Sequence, residues 1–501
     1  MSTRPTPEAA QSTPESTPES APRSAEHVDV LIIGAGLSGI GAACRLRTEH
    51  PQRSVAILEA RSASGGTWDL FRYPGIRSDS DMFTFGYRWR PWPGDRALAD
   101  GPAILEYVRT VAKEYAVDEL IRYHHTVRRA SWDSSTARWT VEVDRDGEPV
   151  TLTTSFLYAC SGYYDYDSGY SPEFPGVEDF AGEIVHPQAW PEDLDHAGKK
   201  VVVIGSGATA VTLVPAMAGE AEHVTMLQRS PSYVLSRPGR DPLAQRLERL
   251  PTRLSFPIVR WKAILLAVAT FQLAQRRPAL ARRIVRKATK EQLPPGVDVD
   301  VHFNPAYNPW DQRLCFVPDG DLFKALRAGT ASIVTDHIET FTEKGLRLRS
   351  GEELTADIVV TATGLNLKPM GGIELVVDGR EVDLARTMTY RTMMLSDVPN
   401  FAFTIGYTNN SWTLKADLVA DYVCRVLAHL DRTGTRIAVA PRDPSVGEER
   451  LLTFSSGYVL RSLDKLPKQG DREPWKLRQN YLYDVRSLRR GDVDDGVLTF
   501  A

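Results

Sequence analysis

Val28-Asp-Val-Leu-Ile-Ile33-Gly34-Ala-Gly36-Leu-Ser-Gly39 decides the fold of this 501-residue chain. Val28 to Ile33 is short, mostly apolar and rich in β-branched residues, the pattern of a strand buried on both faces of a parallel sheet. It runs straight into G-x-G-x-x-G, and Ile40 to Arg47 reads as helix. A glycine turn alone carries little weight. Here a second strand, Ser54 to Leu58, ends in Glu59, twenty residues past Gly39. Strand, turn, helix, strand and acid in that order make a dinucleotide-binding unit. Gly36 lets the backbone approach a pyrophosphate, the helix N-terminus supplies positive dipole, and Glu59 can accept from ribose hydroxyls.

The design recurs. Lys199 to Ile204 is a strand, Gly205-Ser-Gly207-Ala-Thr209-Ala210 the turn, and a helix follows from Val211. A β-meander is expected over Ile121 to Leu157, before Phe156-Leu-Tyr-Ala-Cys-Ser-Gly162. A second meander is expected over Ala331 to Leu348, before Asp357-Ile-Val-Val-Thr-Ala-Thr-Gly364. The adenosine ends of the two units differ. The second unit's strand Val224 to Leu227 ends in Gln228-Arg229-Ser230, without a carboxylate. A carboxylate there favours a free ribose 2′-hydroxyl and an arginine a 2′-phosphate. The fold class is therefore α/β, with two Rossmann-like dinucleotide-binding domains. From Pro242 to Pro295 the nucleotide pattern gives way to helical periodicity, with helices expected over Pro257 to Gln275 and Pro278 to Gln292.

Composition bounds the function. Sixty basic residues against 64 acidic give a net charge of −4, which points away from a nucleic-acid partner. Cys44, Cys160, Cys315 and Cys424 are scattered, with no metal-ligand or redox-motif spacing, so no metal is expected and a reducing cytoplasm fits best. Residues 1–26 are Thr-Pro-Glu and Ser-Thr-Pro-Glu-Ser repeats, read as a disordered tail without an apolar signal region. The longest uninterrupted apolar run is Ala263 to Ala269, short of the ~18 residues of a spanning helix. The second inserted helix carries Arg282, Arg283, Arg286, Lys287 and Lys290 with no acid before Glu291. That basic face is either simply solvated or makes weak peripheral contact with anionic lipid heads.

Two further stretches carry a resemblance. Phe180-Ala-Gly-Glu-Ile-Val-His186-Pro-Gln-Ala-Trp190-Pro191 lies between the glycine turns and reads F-x-G-x-x-x-H-x-x-x-W-P. Gly65-Gly66-Thr-Trp68-Asp-Leu-Phe-Arg-Tyr73-Pro-Gly75-Ile-Arg-Ser-Asp79 is dense in Gly, Pro and aromatics and reads as a loop. Both resemble fingerprints of the Baeyer–Villiger monooxygenases, within the class B flavoprotein monooxygenases, and the likeness runs over about residues 27–490. Arg72 to Asp81, Asn308 to Leu314 and Gly406 to Asp417 are similar to a branch that oxidises ketones and also oxygenates thioether or thioamide sulfur.

The resemblance implies FAD on the first unit, through Gly34, Gly36, Gly39, Glu59, Gly65, Gly66 and Trp68, with Asp79 near the reactive ring. It implies NADPH on the second, through Gly205, Gly207 and Thr209, with Arg229 and Ser230 at the 2′-phosphate. Gln312 stands where many relatives carry a basic residue, which loosens strict selectivity for NADPH over NADH. The implied reaction takes one atom of O2 through a flavin C4a-peroxide into a ketone, giving an ester or lactone. Arg313 is then the cation that keeps the oxidant anionic, Asp79 tunes it, and His186 couples the two domains at their joint. The implied division is a tail over 1–26, an FAD domain over 27–165 and 376–501, an NADP domain over 166–235 and 313–375, and a helical insertion over 236–312. If the Asp79 position is merely structural, it is a helix cap before Asp81-Met-Phe-Thr-Phe. Oxygenation of sulfur or nitrogen competes with ketone oxidation. A flavin disulfide reductase would need a cysteine pair beside the flavin, and Cys44 stands alone in its unit. A non-enzymatic flavin-binding redox sensor on the same fold is the remaining alternative.

Overall fold

The computed structural model describes residues 25–312, 314–452 and 454–501, so the tail read over 1–26 lies almost wholly outside the described residues. Along the chain the first elements are β1 (Glu26–Ile33), α1 (Leu37–Glu49), β2 (Val55–Leu58), α2 (Thr67–Leu70), α3 (Met82–Phe85) and α4 (Gly101–Glu114). β3 (Ile121–Arg122), β4 (His125–Asp133), β5 (Arg138–Arg145), β6 (Glu148–Ala159), β7 (Tyr164–Gly169) and β8 (Glu183–Val185) follow. Then come β9 (Lys200–Ile204), α5 (Ala208–Met217), β10 (His223–Gln228), β11 (Val234–Arg237), α6 (Pro242–Arg246), α7 (Thr252–Arg276) and α8 (Pro278–Lys290). After α9 (Val299–His302), β12 (Cys315–Pro318) and α10 (Asp321–Ala328) the chain makes β13 (Ala331–Thr335), β14 (Ile338–Thr342), β15 (Gly345–Leu348) and β16 (Glu353–Thr355). It continues through β17 (Ile358–Thr361), β18 (Leu365–Leu367), β19 (Glu374–Val377) and β20 (Arg380–Glu381) to α11 (Trp412–Thr433).

Two sheets organise these elements. The first has nine strands in the order β20-β19-β4-β5-β6-β1-β2-β3, with Phe401–Phe403 also pairing β6 in parallel. The second is wholly parallel, in the order β13-β10-β9-β17-β8. Each buries both faces. Val30 and Ile32 enter the core under α1, α4 and α11, whereas Leu31 and Ile33 face the core under the β4–β5–β6 meander. In β9, Val201 and Val203 divide from Val202 and Ile204 in the same way. That two-residue alternation is the strand period, and it explains why these runs are apolar throughout.

The structure shifts three sequence-based boundaries. The expected meander over Ala331 to Leu348 is two objects: β13 joins the parallel sheet beside β10, and the antiparallel meander is β14–β16. Alternation alone does not separate a parallel edge strand from a meander strand. The loop from Gly65 to Asp79 contains one helical turn, α2. Helix α7 begins at Thr252, so Pro257 lies inside it. The ring removes one i→i−4 bond there, while Leu254 and Ser255 already bond the Pro251 carbonyl at 2.8 and 3.1 Å. This earlier start makes α7 25 residues long and, contrary to expectation, long and apolar enough to cross a bilayer by length and composition alone. Its mid-helix charges are taken up by the protein. Arg260 donates to the Phe83 and Gly86 carbonyls at 2.7 Å each, and Lys262 pairs with Asp241.

Candidate functional site

A cavity of about 640 Å³ opens where the two sheets face each other, lined by the first glycine turn, the Gly65–Ser80 loop, the start of α5 and the 407–412 segment. At the first turn a Cβ on Gly39 would sit 1.9 Å from the Gly34 carbonyl oxygen, so only glycine lets α1 start this close to β1. Gly36 differs: its only neighbour within reach is the Gly66 backbone, at 3.6 Å, and its other side is open to the cavity. No side chain caps α1 or α5, and the space beside Gly207 is empty to 4 Å. Two helix N-termini with uncapped first-turn N–H groups facing open space suit two pyrophosphates.

Glu59 lies at the end of β2, buried and on the cavity wall. Its Oε2 accepts from the Ala35 N–H at 2.8 Å and its Oε1 from the Arg61 N–H at 3.0 Å. Burial pushes the carboxyl up, against these two bonds, which lower it. About two of a carboxylate's four acceptor directions remain for ribose hydroxyls. Gly66 starts α2, and Trp68 on that turn meets Phe85 edge to face at 5.7 Å on the cavity wall. Beneath it Asp69 is buried and holds Arg61, Arg72 and Arg109 at 2.8, 2.9 and 2.7 Å. This anchor of the loop was not foreseen, because its partners are spread over 49 residues of sequence. Asp79 also lines the cavity. The cap before Met82 is Asp81, which accepts from the Phe83 N–H at 2.9 Å, so Asp79 is not a helix cap.

In the second unit Thr209 lines the cavity, as does Tyr73 of the first unit's loop, whose hydroxyl burial pushes up to about 12. Phe71 and Tyr73 pack into the second unit's core, which ties the first unit's loop to it. Arg229 and Ser230 are exposed at the C-terminal end of β10, away from the cavity wall, and the Ser230 carbonyl accepts from Ser206 Oγ at 3.1 Å. Ser206 belongs to the glycine turn, so the three share one edge of the parallel sheet. Arg313 lies outside the described residues. Its neighbour Gln312 donates to the Ser455 carbonyl at 3.5 Å. Cys44 and Cys160 are buried thiols pushed up to about 12 by desolvation, far from the thiolate character that disulfide exchange requires.

His186 does not line the cavity. Its Nδ1 accepts from the Gln188 N–H at 3.2 Å, which leaves Nε2 to donate to the Gly364 carbonyl at 3.3 Å. A Cβ on Gly169 would lie 1.9 Å from its ring. Gly169 ends β7 and Gly364 precedes β18, the two antiparallel strands through which the chain leaves and re-enters the first sheet. Burial lowers the imidazole below its usual range, so the ring is neutral near pH 7.

Three features of the site escaped the sequence. The Ser161 hydroxyl is buried beside the cavity and without a partner among the described residues. Ser411 occupies the N-cap position of α11, yet its hydroxyl meets Thr84 Oγ1 at 2.6 Å instead of capping, which ties α11 to α3. Tyr407, on the cavity wall, donates to buried Asp484 at 2.5 Å, and Lys415 meets the same carboxylate at 2.9 Å. The two uncapped helices and the open glycines are what a bound dinucleotide would complete.

Comparison with known proteins fits this geometry. A flavin-binding monooxygenase-like family model matches residues 96–247, and an NAD(P)-binding Rossmann-like domain model matches residues 32–93. The FAD-containing monooxygenase EthA of Mycobacterium tuberculosis is 57% identical over 479 residues, 95% of this chain and 98% of that protein. A steroid monooxygenase solved with NADP bound superposes with a TM-score of 0.71 at 24% identity, over 83% of this chain and 88% of that one. The cyclohexanone monooxygenase of Rhodococcus sp. Phi1, bound to NADP+, superposes at 0.68 and 21% identity, over 84% and 87%. The two superpositions establish the shared two-sheet fold. With the near full-length identity to EthA, they show that this chain belongs to the flavin-binding monooxygenase family.

Proposed function

We propose that this monooxygenase, with FAD and NADPH as its cofactors, inserts one atom of O2 into a ketone to give an ester or lactone. The observation that carries the reading is Phe180 to Pro191. The stretch whose tryptophan form resembles the ketone-oxidising branch places its histidine against both strands that join the two sheets. Reduced flavin supplies the oxygenating chemistry when bound, and the chain does the rest. Gly34, Gly36, Gly39, Glu59, Gly65, Gly66 and Trp68 would hold FAD. Gly205, Gly207 and Thr209 would hold the NADPH pyrophosphate, with Arg229 and Ser230 at the 2′-phosphate. The aromatic and glycine-rich walls exclude water, which strengthens every charge inside the cavity. Arg313 is assigned the cation beside developing negative charge, with Asp79 tuning it, and His186 the joint.

Removing such a preorganised group costs about 2.7–4 kcal/mol, roughly a hundredfold or more in rate. Arg313→Ala should therefore keep FAD and accept hydride from NADPH, yet release hydrogen peroxide in place of product. Normal product yield from that variant would remove Arg313 from the mechanism.

A second reading, transfer of oxygen to thioether or thioamide sulfur, rests on Arg72 to Asp81 and Gly406 to Asp417. Both resemble the branch with that additional activity, and both contribute to the cavity wall. The deciding experiment is aerobic NADPH turnover over a panel of ketones and sulfides with products identified. Esters or lactones are expected. Sulfoxides with ketones untouched would install the second reading, and hydrogen peroxide alone with every substrate would sink both.

A further inference from the structure

Helix α7 presents a face that the rest of the described chain leaves uncovered. Leu254, Ile258, Trp261 and Leu265 recur at i, i+4, i+7 and i+11, and all four are exposed; Leu266 and Leu273 flank them. Helix α8 extends the surface with Leu280 and Ile284, exposed one turn apart. The stripe runs from residue 254 to 273, ~28 Å at about 1.5 Å per residue. The opposite face is firmly seated. Phe256, Val259, Ala263 and Ile264 are buried, and Arg260 is fixed to the Phe83 and Gly86 carbonyls and faces Asp417 at 3.7 Å. The helix therefore lies along the protein and cannot also be surrounded by lipid.

Charge identifies the occupant. From residue 252 to 290 there are ten basic residues and no acid, in a chain that carries 60 basic against 64 acidic. Some are consumed locally, such as Lys262 by Asp241 and Arg286 by Asp300. The side chains of Arg253, Arg276, Arg277 and Arg283 make no hydrogen bond or ion pair among the described residues. They sit at the ends of the apolar stripe and beside Leu280 and Ile284. An apolar stripe with an indole within it and uncompensated arginines around it suits a surface with an acyl interior and anionic heads. A second copy of this chain is the poorer partner, because a two-fold pairing would bring the same four arginines together.

We propose that α7 lies in the plane of a bilayer containing anionic phospholipid. Its Leu254–Leu273 stripe sits at the boundary of heads and acyl chains, and Arg276, Arg277 and Arg283 rest against lipid phosphates. The seat is the apolar face of α7, and the basic face of α8 assists it. It also lies close to the cavity. Phe256 of α7 meets Phe83 of α3 at 6.2 Å, and Phe85 of the same turn lines the cavity wall.

The test is co-sedimentation of the full-length, FAD-loaded protein with phosphatidylcholine vesicles, with and without phosphatidylglycerol. Wild type is expected to sediment with the anionic vesicles. Ile258→Glu/Leu265→Glu, at two exposed positions, should lower the partition coefficient roughly tenfold or more. Arg276→Glu/Arg277→Glu should abolish the preference for phosphatidylglycerol. Retained FAD absorbance reports the fold, and Ile258→Ser/Leu265→Ser replaces the glutamate pair should that pair lose its flavin. Wild type that stays in the supernatant, or an apolar-face variant that sediments as wild type does, overturns the proposal. So does a dimer that the apolar-face variant converts to monomer without any vesicle binding, which would give the stripe to a second copy.

Discussion

At Gly36 a side chain has few directions to take. The Gly66 backbone blocks one at 3.6 Å and the others open into the nucleotide cradle. Gly36→Val should fold, since the protein itself leaves room for a first carbon, and should purify colourless because the branches occupy the pyrophosphate position. A variant with full flavin absorbance would show that the first unit binds no FAD. Arg229 asks a different question, because it is exposed and lies off the cavity wall. A charge-assisted bond to a phosphate contributes about 1.5–3 kcal/mol, and exposure places this one near the lower figure. Arg229→Ala should therefore raise the NADPH KM about tenfold and leave NADH almost unchanged. Equal loss with both coenzymes would make Arg229 structural. The glycines and Glu59 were legible because close approach and strand-end position are local properties of sequence. Asp69 was not, since two loop arginines and one from α4 define it. Nor was the distinction between Asp79 and Asp81, two positions apart, of which the second caps α3.

Helices α7 and α11 meet through a buried charge. Asp417 faces Arg260 at 3.7 Å and accepts from the Arg88 N–H at 2.9 Å. Burial nevertheless dominates and pushes its carboxyl up to about 6, from 3.8 when unfolded. A native carboxyl that binds its proton more tightly than the unfolded one gains stability as pH falls. The contribution is absent above about pH 6, grows as pH drops through the folded value, and is complete below 3.8. Asp417→Asn should flatten the dependence of the urea midpoint on pH across that window. A midpoint whose slope there is unchanged by the substitution would show that Arg260 keeps the group ionised. The same two helices mark the limits of sequence reading at this scale. Helix α7 was anticipated, and its start was not. Pro257 looked like a first residue and lies inside α7. Ser411 stands at the N-cap position of α11, and its hydroxyl is spent on Thr84, 327 residues away.

At the scale of the molecule, two sheets that bind two nucleotides must report to each other, and the β7–β18 strand pair is one of the links between them. The doubled strand–turn–helix pattern was readable because each unit is local. Their mutual placement was not, because it depends on links between distant residues: β7 and β18, six and three residues long, pair across about 200 positions of sequence, and Arg77 reaches Asp321. His186 sits where both strands meet the second sheet, donating to the Gly364 carbonyl and resting on Gly169. Its burial-lowered basicity keeps the ring neutral, so one nitrogen accepts from Gln188 and the other donates. Gly169 is the more discriminating position to change, because it touches no nucleotide and leaves the imidazole chemically intact. A methyl there would lie 1.9 Å from the ring, so the ring or the strand must move. Gly169→Ala should keep full FAD content and bind NADP with little change, because neither glycine turn is disturbed. It should lower the ratio of product formed to NADPH consumed and raise hydrogen peroxide in proportion, with His186→Ala showing the same pattern. The readout is the coupling ratio at saturating substrate. If Gly169→Ala couples as wild type does, the His186 contact is packing alone and the two units communicate elsewhere. If it loses FAD, the strand pair supports the first sheet itself, and the joint would have to be assigned to other residues.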